Sequence, residues 1–323
     1  MSDRISLDVH AHLAPIFPDA LSKIKGVSWN ATDRVLTVDG HEVGMKPLFD
    51  PEALAAWMKK NGVETALISI PPPLYRPGLP EEDANDWVFY VNDGLQRIAE
   101  SHPQHFSPLP FLPMQRPGLA YKVAQHWLAK GHRRFSAPSG GCGDLVLSDA
   151  AYAPLWQALD AARSFVFFHP GECADGRLKS FYLSNLVGNP YESAVAVAHL
   201  LFGGVIEGHP NVRFCIAHGG GALPVLAGRL QRGFATKRPG LATGGKSPKD
   251  LLRHICVDCI MHDEAALQLA ESVFGARNIV FGSDWPFPMG LVDPHAQMAN
   301  VDAQRRQRIF CDNPERLKEE LEK

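Results

Sequence analysis

No run of apolar residues in this chain approaches the roughly 20 needed to cross a bilayer, so no membrane span is expected. An excess of positive charge is missing too. The 32 Lys and Arg against 35 Asp and Glu leave a formal net charge of -3, which gives no basic field for nucleic acid or an anionic membrane. Met1-Ser2-Asp3-Arg4 runs into a strand pattern without a signal-peptide apolar region, so the expected compartment is the cytoplasm. Internal repeats and low-complexity stretches are absent. Cysteine is scarce: Cys142, Cys173, Cys215, Cys256, Cys259 and Cys311 in 323 residues do not make a disulfide framework. Cys256-x-x-Cys259 suggests a metal or redox pair, but it lies in the apolar run Ile255–Ile260, which reads as a strand. Positions three apart on a strand point to opposite faces, so buried structural thiols are expected.

What is present is a 45% hydrophobic chain, long enough for two ordinary domains or one large α/β barrel. Short apolar runs alternate with stretches of helical period from end to end. The spacing predicts strands over Ile5–Val9, Glu64–Ile70, Phe106–Leu112, His132–Ala137, Ser164–His169, Val212–His218, His254–Ile260 and Asn278–Gly282. Helices are predicted over Pro51–Asn61, Asn85–Ser101, Leu119–Lys130, Asp149–Ala162, Tyr191–Gly208, Ala222–Phe234, Glu264–Gly275 and Asp302–Glu322. Asp50-Pro51 is an N-cap followed by proline at the first helical position, and Gly62, Gly131 and Gly275 stand where helices should stop. This alternation predicts a parallel sheet closed into a (β/α)8 TIM-type barrel, a single domain over 1–323. The alternative, an open doubly wound sheet, normally carries a glycine-rich turn after its first strand. His10-Ala11-His12 stands there instead.

Two segments interrupt the repeat. Within 14–49, Arg34–Val38, Asp39-Gly40 and His41–Val43 read as a small β-hairpin inserted after strand 1. The second, 171–190, is a polar and aromatic loop after the fifth strand. Both follow strand C-termini and are expected as lid and pocket wall on the active-site face.

His10 and His12, at i and i+2, share a strand face and can reach one ion. Further ligand-capable groups follow later apolar runs: His169 after Phe165–Phe168, His218 after Phe214–Ala217, and Asp284 after Ile279–Ser283. Burying even one such group without a partner costs several kcal/mol, so their placement at strand ends points to convergence on an ion. Three histidines and a carboxylate suit zinc; iron, manganese or cobalt fit the same donors with less preference. An imidazole beside such a centre can hold or move a proton.

Four segments resemble the carboxy-lyases of the amidohydrolase superfamily: Asp8–Pro15, Phe168-His169-Pro170, Ile216–Ala222 and Phe281–Pro288. Smaller echoes lie at Leu112–Gln115, Asp175–Arg177, Leu186–Pro190 and Met261-His262-Asp263. The resemblance runs nearly the whole chain and implies a zinc-dependent barrel with His10, His12, His169 and Asp284 as metal ligands. It gives His218 an acid–base role and implies a homodimer in which Arg229 crosses to the partner's site. The substrate side departs from the pattern. Where the resemblance expects an arginine in the inserted hairpin, Glu42 or a close neighbour stands, with Lys46 the nearest cation. Tyr182 and Asn185 replace two tryptophans of the loop after the fifth strand. Arg177, Lys46, Tyr182 and Arg229 are therefore the expected substrate-binding residues, with Glu172 near the mouth, His262 structural, and Trp285 and Phe287 packing the rim. The expected activity is non-oxidative decarboxylation of a small unsaturated or aromatic carboxylic acid. Hydrolysis or hydration of a ring-cleavage product uses the same groups, and a non-catalytic metal-binding protein is the remaining reading.

Overall fold

The computed structural model describes residues 4–141, 143, 145–171, 173–241 and 245–322. Cys142 and Glu172 lie outside the described residues. The chain divides into two compact units, Met1–Phe111 with Phe281–Glu315 and Leu112–Val280 with Arg316–Lys323.

In the first unit, β1 (Asp8–His12), β5 (Ala66–Ser69) and β6 (Phe106–Pro108) form a parallel sheet in the order β1-β5-β6. Every residue of β1 and β5 is buried, the continuous burial of strands covered on both faces. The first strand begins three residues later than predicted, because Ile5 makes only an isolated bridge to Val63 and the register shifts between Asp8 and Ala11. The consequence is functional: both histidines lie on the strand itself. Along its other edge runs the segment after Phe281, with Val9 N–H donating to Phe281 O (3.0 Å), Asp284 N–H to His10 O (2.7 Å) and His12 N–H to Trp285 O (2.9 Å).

The inserted hairpin is larger than predicted, a three-stranded antiparallel sheet of β2 (Val27–Asn30), β3 (Val35–Val38) and β4 (His41–Val43). Asp39 and Gly40 both have positive φ (49° and 82°), as a two-residue turn between paired strands requires. Asp39 is also the anchor. Its carboxylate takes two hydrogen bonds from buried Arg76 (2.8 and 2.6 Å), which also donates to Lys25 O (2.8 Å).

The second unit carries a five-stranded parallel sheet, β7 (Arg134–Pro138), β8 (Phe165–His169), β9 (Arg213–Ile216), β10 (Cys256–Asp258) and β11 (Ile279–Val280), each beside its sequence neighbour. Helices Ala153–Ala161, Asn189–Phe202 and Glu264–Phe274 lie in the crossovers, the βαβ logic of a parallel sheet. The predicted helix Tyr191–Gly208 breaks at Gly203-Gly204, where Gly204 has φ 75°, and restarts over Val205–Gly208. The last helix contains a wide turn over Arg308–Asp312. β10 is shorter than predicted because the Asp258 carboxylate captures local amides, among them Ile260 N–H (3.1 Å). No disulfide joins the described cysteines. No described helix is long and apolar enough to cross a membrane.

Arg76 holds the Asp39 carboxyl below the usual carboxylate range. A depressed carboxylate pKa contributes stability above the unfolded value of about 3.9, and that contribution is lost as pH falls. The Asp39 side chain is half exposed, so screening keeps the effect small. Asp39→Asn is expected to lower stability by about 1 kcal/mol at neutral pH, read by thermal unfolding, and the difference should begin to shrink as pH falls through about 4 and disappear only below the lowered folded-state value.

Candidate metal centre

The first unit gathers three of the predicted ligands. His10 Nε2 and His12 Nε2 are 3.0 Å apart, and each lies 3.1 Å from Asp284 Oδ1. The three atoms make a nearly equilateral buried triangle. Metal–nitrogen and metal–oxygen bonds of about 2.0–2.2 Å let one cation touch all three, so these residues fit a divalent metal.

Further hydrogen bonds brace the elements that carry these three residues. Because His12 pairs with Ser69 across β1 and β5, its Nδ1 meets Ser69 Oγ at 3.2 Å, which leaves Nε2 to face the triangle. Burial holds His12 below the ordinary imidazole range, and therefore neutral. Asp8 shares the strand face of His10 and His12 and accepts from His10 N–H (3.0 Å), Ser283 N–H (3.0 Å) and Ser283 Oγ–H (2.5 Å). Burial pushes the Asp8 carboxyl up to about 6 against those bonds. Asp8 thus ties the strand bearing His10 and His12 to the turn bearing Asp284. Asp284 itself has φ 56°, a conformation costly outside glycine, and Gly290 supports it: a Cβ there would stand 2.1 Å from Ser283 O and 2.9 Å from Asp284 Cβ. Phe287 packs edge-on against His12 at 5.5 Å, and Trp285 is buried.

The second unit brings together the other two. His169 ends β8, and its Nδ1 lies 2.9 Å from Pro170 O. That contact makes Nδ1 the protonated nitrogen and leaves the Nε2 lone pair for a metal. His218 is half-buried, its ring edge-on to His169 with centroids 5.0 Å apart. Its backbone is left-handed (φ 54°) and fixed by Asp258, which accepts from His218 N–H and Gly219 N–H at 2.9 Å each. Gly219 continues the turn at φ 61°, where a Cβ would stand 1.6 Å from Met261 Sδ. Only glycine fits.

The four residues expected to bind substrate lie on the exposed surface. Lys46 opens a short helix over Lys46–Phe49, Tyr182 stands in the 171–190 loop with φ 60°, and Arg229 is on the helix Leu223–Ala235. Arg177 is 89% exposed in its side chain and pairs with Asp175. His262 is exposed as well. Sequence reasoning missed Asp8 and Asp258 as supports, although an acid inside an otherwise apolar strand run was a legible signal at both.

A parallel α/β frame with buried histidines and a carboxylate at its strand ends defines a metal-site barrel protein. A profile of the amidohydrolase family matches residues 7–317, and the chain belongs to that family. It is 27% identical over 307 residues to the 2-amino-3-carboxymuconate-6-semialdehyde decarboxylase of Dictyostelium discoideum, covering 90% of this chain and 84% of that one. Its structure resembles that of 5-carboxyvanillate decarboxylase from Sphingomonas paucimobilis, with a TM-score of 0.80, 18% identity and 98% of each chain covered. A dihydroxybenzoic acid decarboxylase from Polaromonas, solved with bound manganese, aligns with a TM-score of 0.79 and 20% identity over 97% of this chain and 96% of that one. The fold is the (β/α)8 TIM-type class that the sequence predicts.

Loss of a supporting hydrogen bond of the Asp8 kind typically costs about 10- to 100-fold in metal affinity. Asp8→Asn cannot accept all three of these bonds, so competition with a chelator should show a loss of that size. Unchanged retention contradicts the role given to Asp8.

Proposed function

We propose that this protein is a metal-dependent carboxy-lyase that removes carbon dioxide, without oxidation, from an unsaturated or aromatic carboxylic acid in the cytoplasm. The observation that carries the reading is the buried triangle of His10, His12 and Asp284. Its fourth ligand in this reading is His169. Three nitrogens and one oxygen favour zinc; manganese, bound in the Polaromonas relative, is the alternative. When bound, a divalent cation here supplies a Lewis acid for the substrate's oxygens and lowers the pKa of water.

The chain's own residues do the rest. Ser69 and Asp8 keep His12 and His10 oriented. His218, held by Asp258 beside His169, delivers a proton to the carbon that bears the carboxylate. The carbon–carbon bond then breaks, its electron pair stays with the ring, and carbon dioxide leaves. The electrons balance without an oxidant. The carboxylic acid is oriented by Lys46, Arg177 and Tyr182 and by Arg229 of a second copy. A homodimer is supported by the helix Leu223–Ala235, whose only buried residues among those described are Leu223 and Pro224, and by Val225, 77% exposed, and Phe181, 88% exposed.

The test is to incubate the metal-loaded protein with a panel of hydroxybenzoates and carboxylated ring-cleavage products and to measure carbon dioxide. A product formed without the gas overturns the decarboxylase reading in favour of hydrolysis or hydration. General acid–base catalysis is typically worth about 100- to 10,000-fold, and His218→Ala should lose a rate of that order with metal content unchanged. Asp284→Ala is expected to lose both metal and activity.

A further inference from the structure

The turn His218-Gly219-Gly220-Gly221 is held in contact at every residue. The Asp258 carboxylate accepts from the amides of His218 and Gly219 at 2.9 Å each. A Cβ on Gly219 would overlap Met261 Sδ and stand 2.8 Å from Met261 Cγ and 3.2 Å from its Cε, so the whole thioether lies across that residue. A Cβ on Gly220 would stand 2.8 Å from the Phe274 ring, and one on Gly221 would stand 2.6 Å from Pro190 O and 3.0 Å from Ser193 Cβ. Phe274 and Ser193 are fully buried and belong to the core. Met261 differs. It follows the end of β10, where its N–H donates to Cys259 O (3.0 Å), and it is only half-buried. All four residues of the turn have positive φ, and His218 alone among them carries a Cβ that disfavours it. Such a conformation persists only while the surroundings exclude the ordinary one. Asp258 and Met261 supply that constraint on the 218–219 peptide, the first by hydrogen bonds and the second by contact.

We infer that Met261 is a positioning residue for His218: its thioether, lying on Gly219, holds the left-handed turn that sets the His218 imidazole beside His169. This rests on the proton-transfer role proposed above for His218. Asp258 fixes the two amides by charge, whereas Met261 fills the space on Gly219 where a side chain would stand. Without the thioether the turn gains room on that face, and His218 loses a constraint on its φ of 54°. The imidazole, edge-on to His169 with 5.0 Å between centroids, then loses its fixed placement. A flexible, polarizable thioether follows such an irregular surface closely. It also has no proton to give, so its effect on turnover must pass through a neighbour.

The test uses full-length, zinc-loaded protein and the variants Met261→Ala, Met261→Leu, His218→Ala and the double variant of His218→Ala with Met261→Ala. The probe is the acid of the panel with the highest kcat/KM. A misplacement of about 1 Å can cost about 100-fold in rate. Met261→Ala should lose kcat by that order, with KM and metal content unchanged. Met261→Leu, of similar volume, should recover most of the loss. In the His218→Ala background, adding Met261→Ala should cost nothing further, because residues that act as a unit are not additive. A merely structural methionine would lower both backgrounds alike. The second readout needs no turnover: the imidazole resonance that disappears in His218→Ala should move in Met261→Ala at fixed pH. Unchanged kcat with an unmoved resonance overturns the assignment, and so does an equal loss in the His218→Ala background. An unfolded Met261→Ala overturns it too, since the thioether would then serve the core. If no acid releases carbon dioxide, the decarboxylase reading fails alone and the resonance still decides on Met261: moved, the assignment stands; unmoved, it falls.

Discussion

Two imidazole nitrogens and a carboxylate oxygen, 3.0–3.1 Å from one another and removed from water, are the constraint around which the first unit is arranged. Buried lone pairs at that spacing repel one another unless a positive charge lies among them. Burial disfavours a charged His12, and a divalent cation among the three atoms would satisfy them all at once. The surrounding bonds follow from that requirement. Ser69 turns His12, the Asp8 carboxylate clamps His10 and Ser283, and Gly290 leaves room for the turn that carries Asp284. These residues come from sequence positions as distant as Asp8 and Gly290, and the parallel register brings them together.

The two units solve the same problem in the same way. In each, a buried acid on a strand spends its oxygens on backbone amides at a histidine of the candidate site: Asp8 on His10 and Ser283, Asp258 on His218 and Gly219. In each, a non-glycine residue, Asp284 or His218, is kept in the left-handed region. Such strain persists only where the surroundings over-determine it, and here they do.

Much of this was legible in the sequence. Period-2 spacing put His10 and His12 on one face, and the apolar runs before His169, His218 and Asp284 located the strand ends that carry them. Helix Pro51–Asn61 begins and ends where its cap residues said. The rest depended on contacts that local pattern does not encode. Val27–Asn30 alternates between half-buried and exposed residues rather than between apolar and polar ones, so the third strand of the insert was invisible. Strand ends at β10 and β11 were overestimated because an apolar run continues after its ladder has stopped. Asp258 reaches an amide 40 residues away. Met261 follows β10 in a segment that reads as loop, and nothing in its local pattern tells that its thioether lies on Gly219. The substrate side was the least legible part, as expected for loops on a rigid frame. Lys46, Arg177, Tyr182 and Arg229 all lie exposed in a single chain.

The central claim is that these buried side chains exist to hold a cation, and elemental analysis of the purified protein tests it most directly. The account predicts about one equivalent of a divalent transition metal per chain, released by a chelator and taken up again on dialysis against the metal. A protein that stays folded and never binds a stoichiometric transition metal contradicts it.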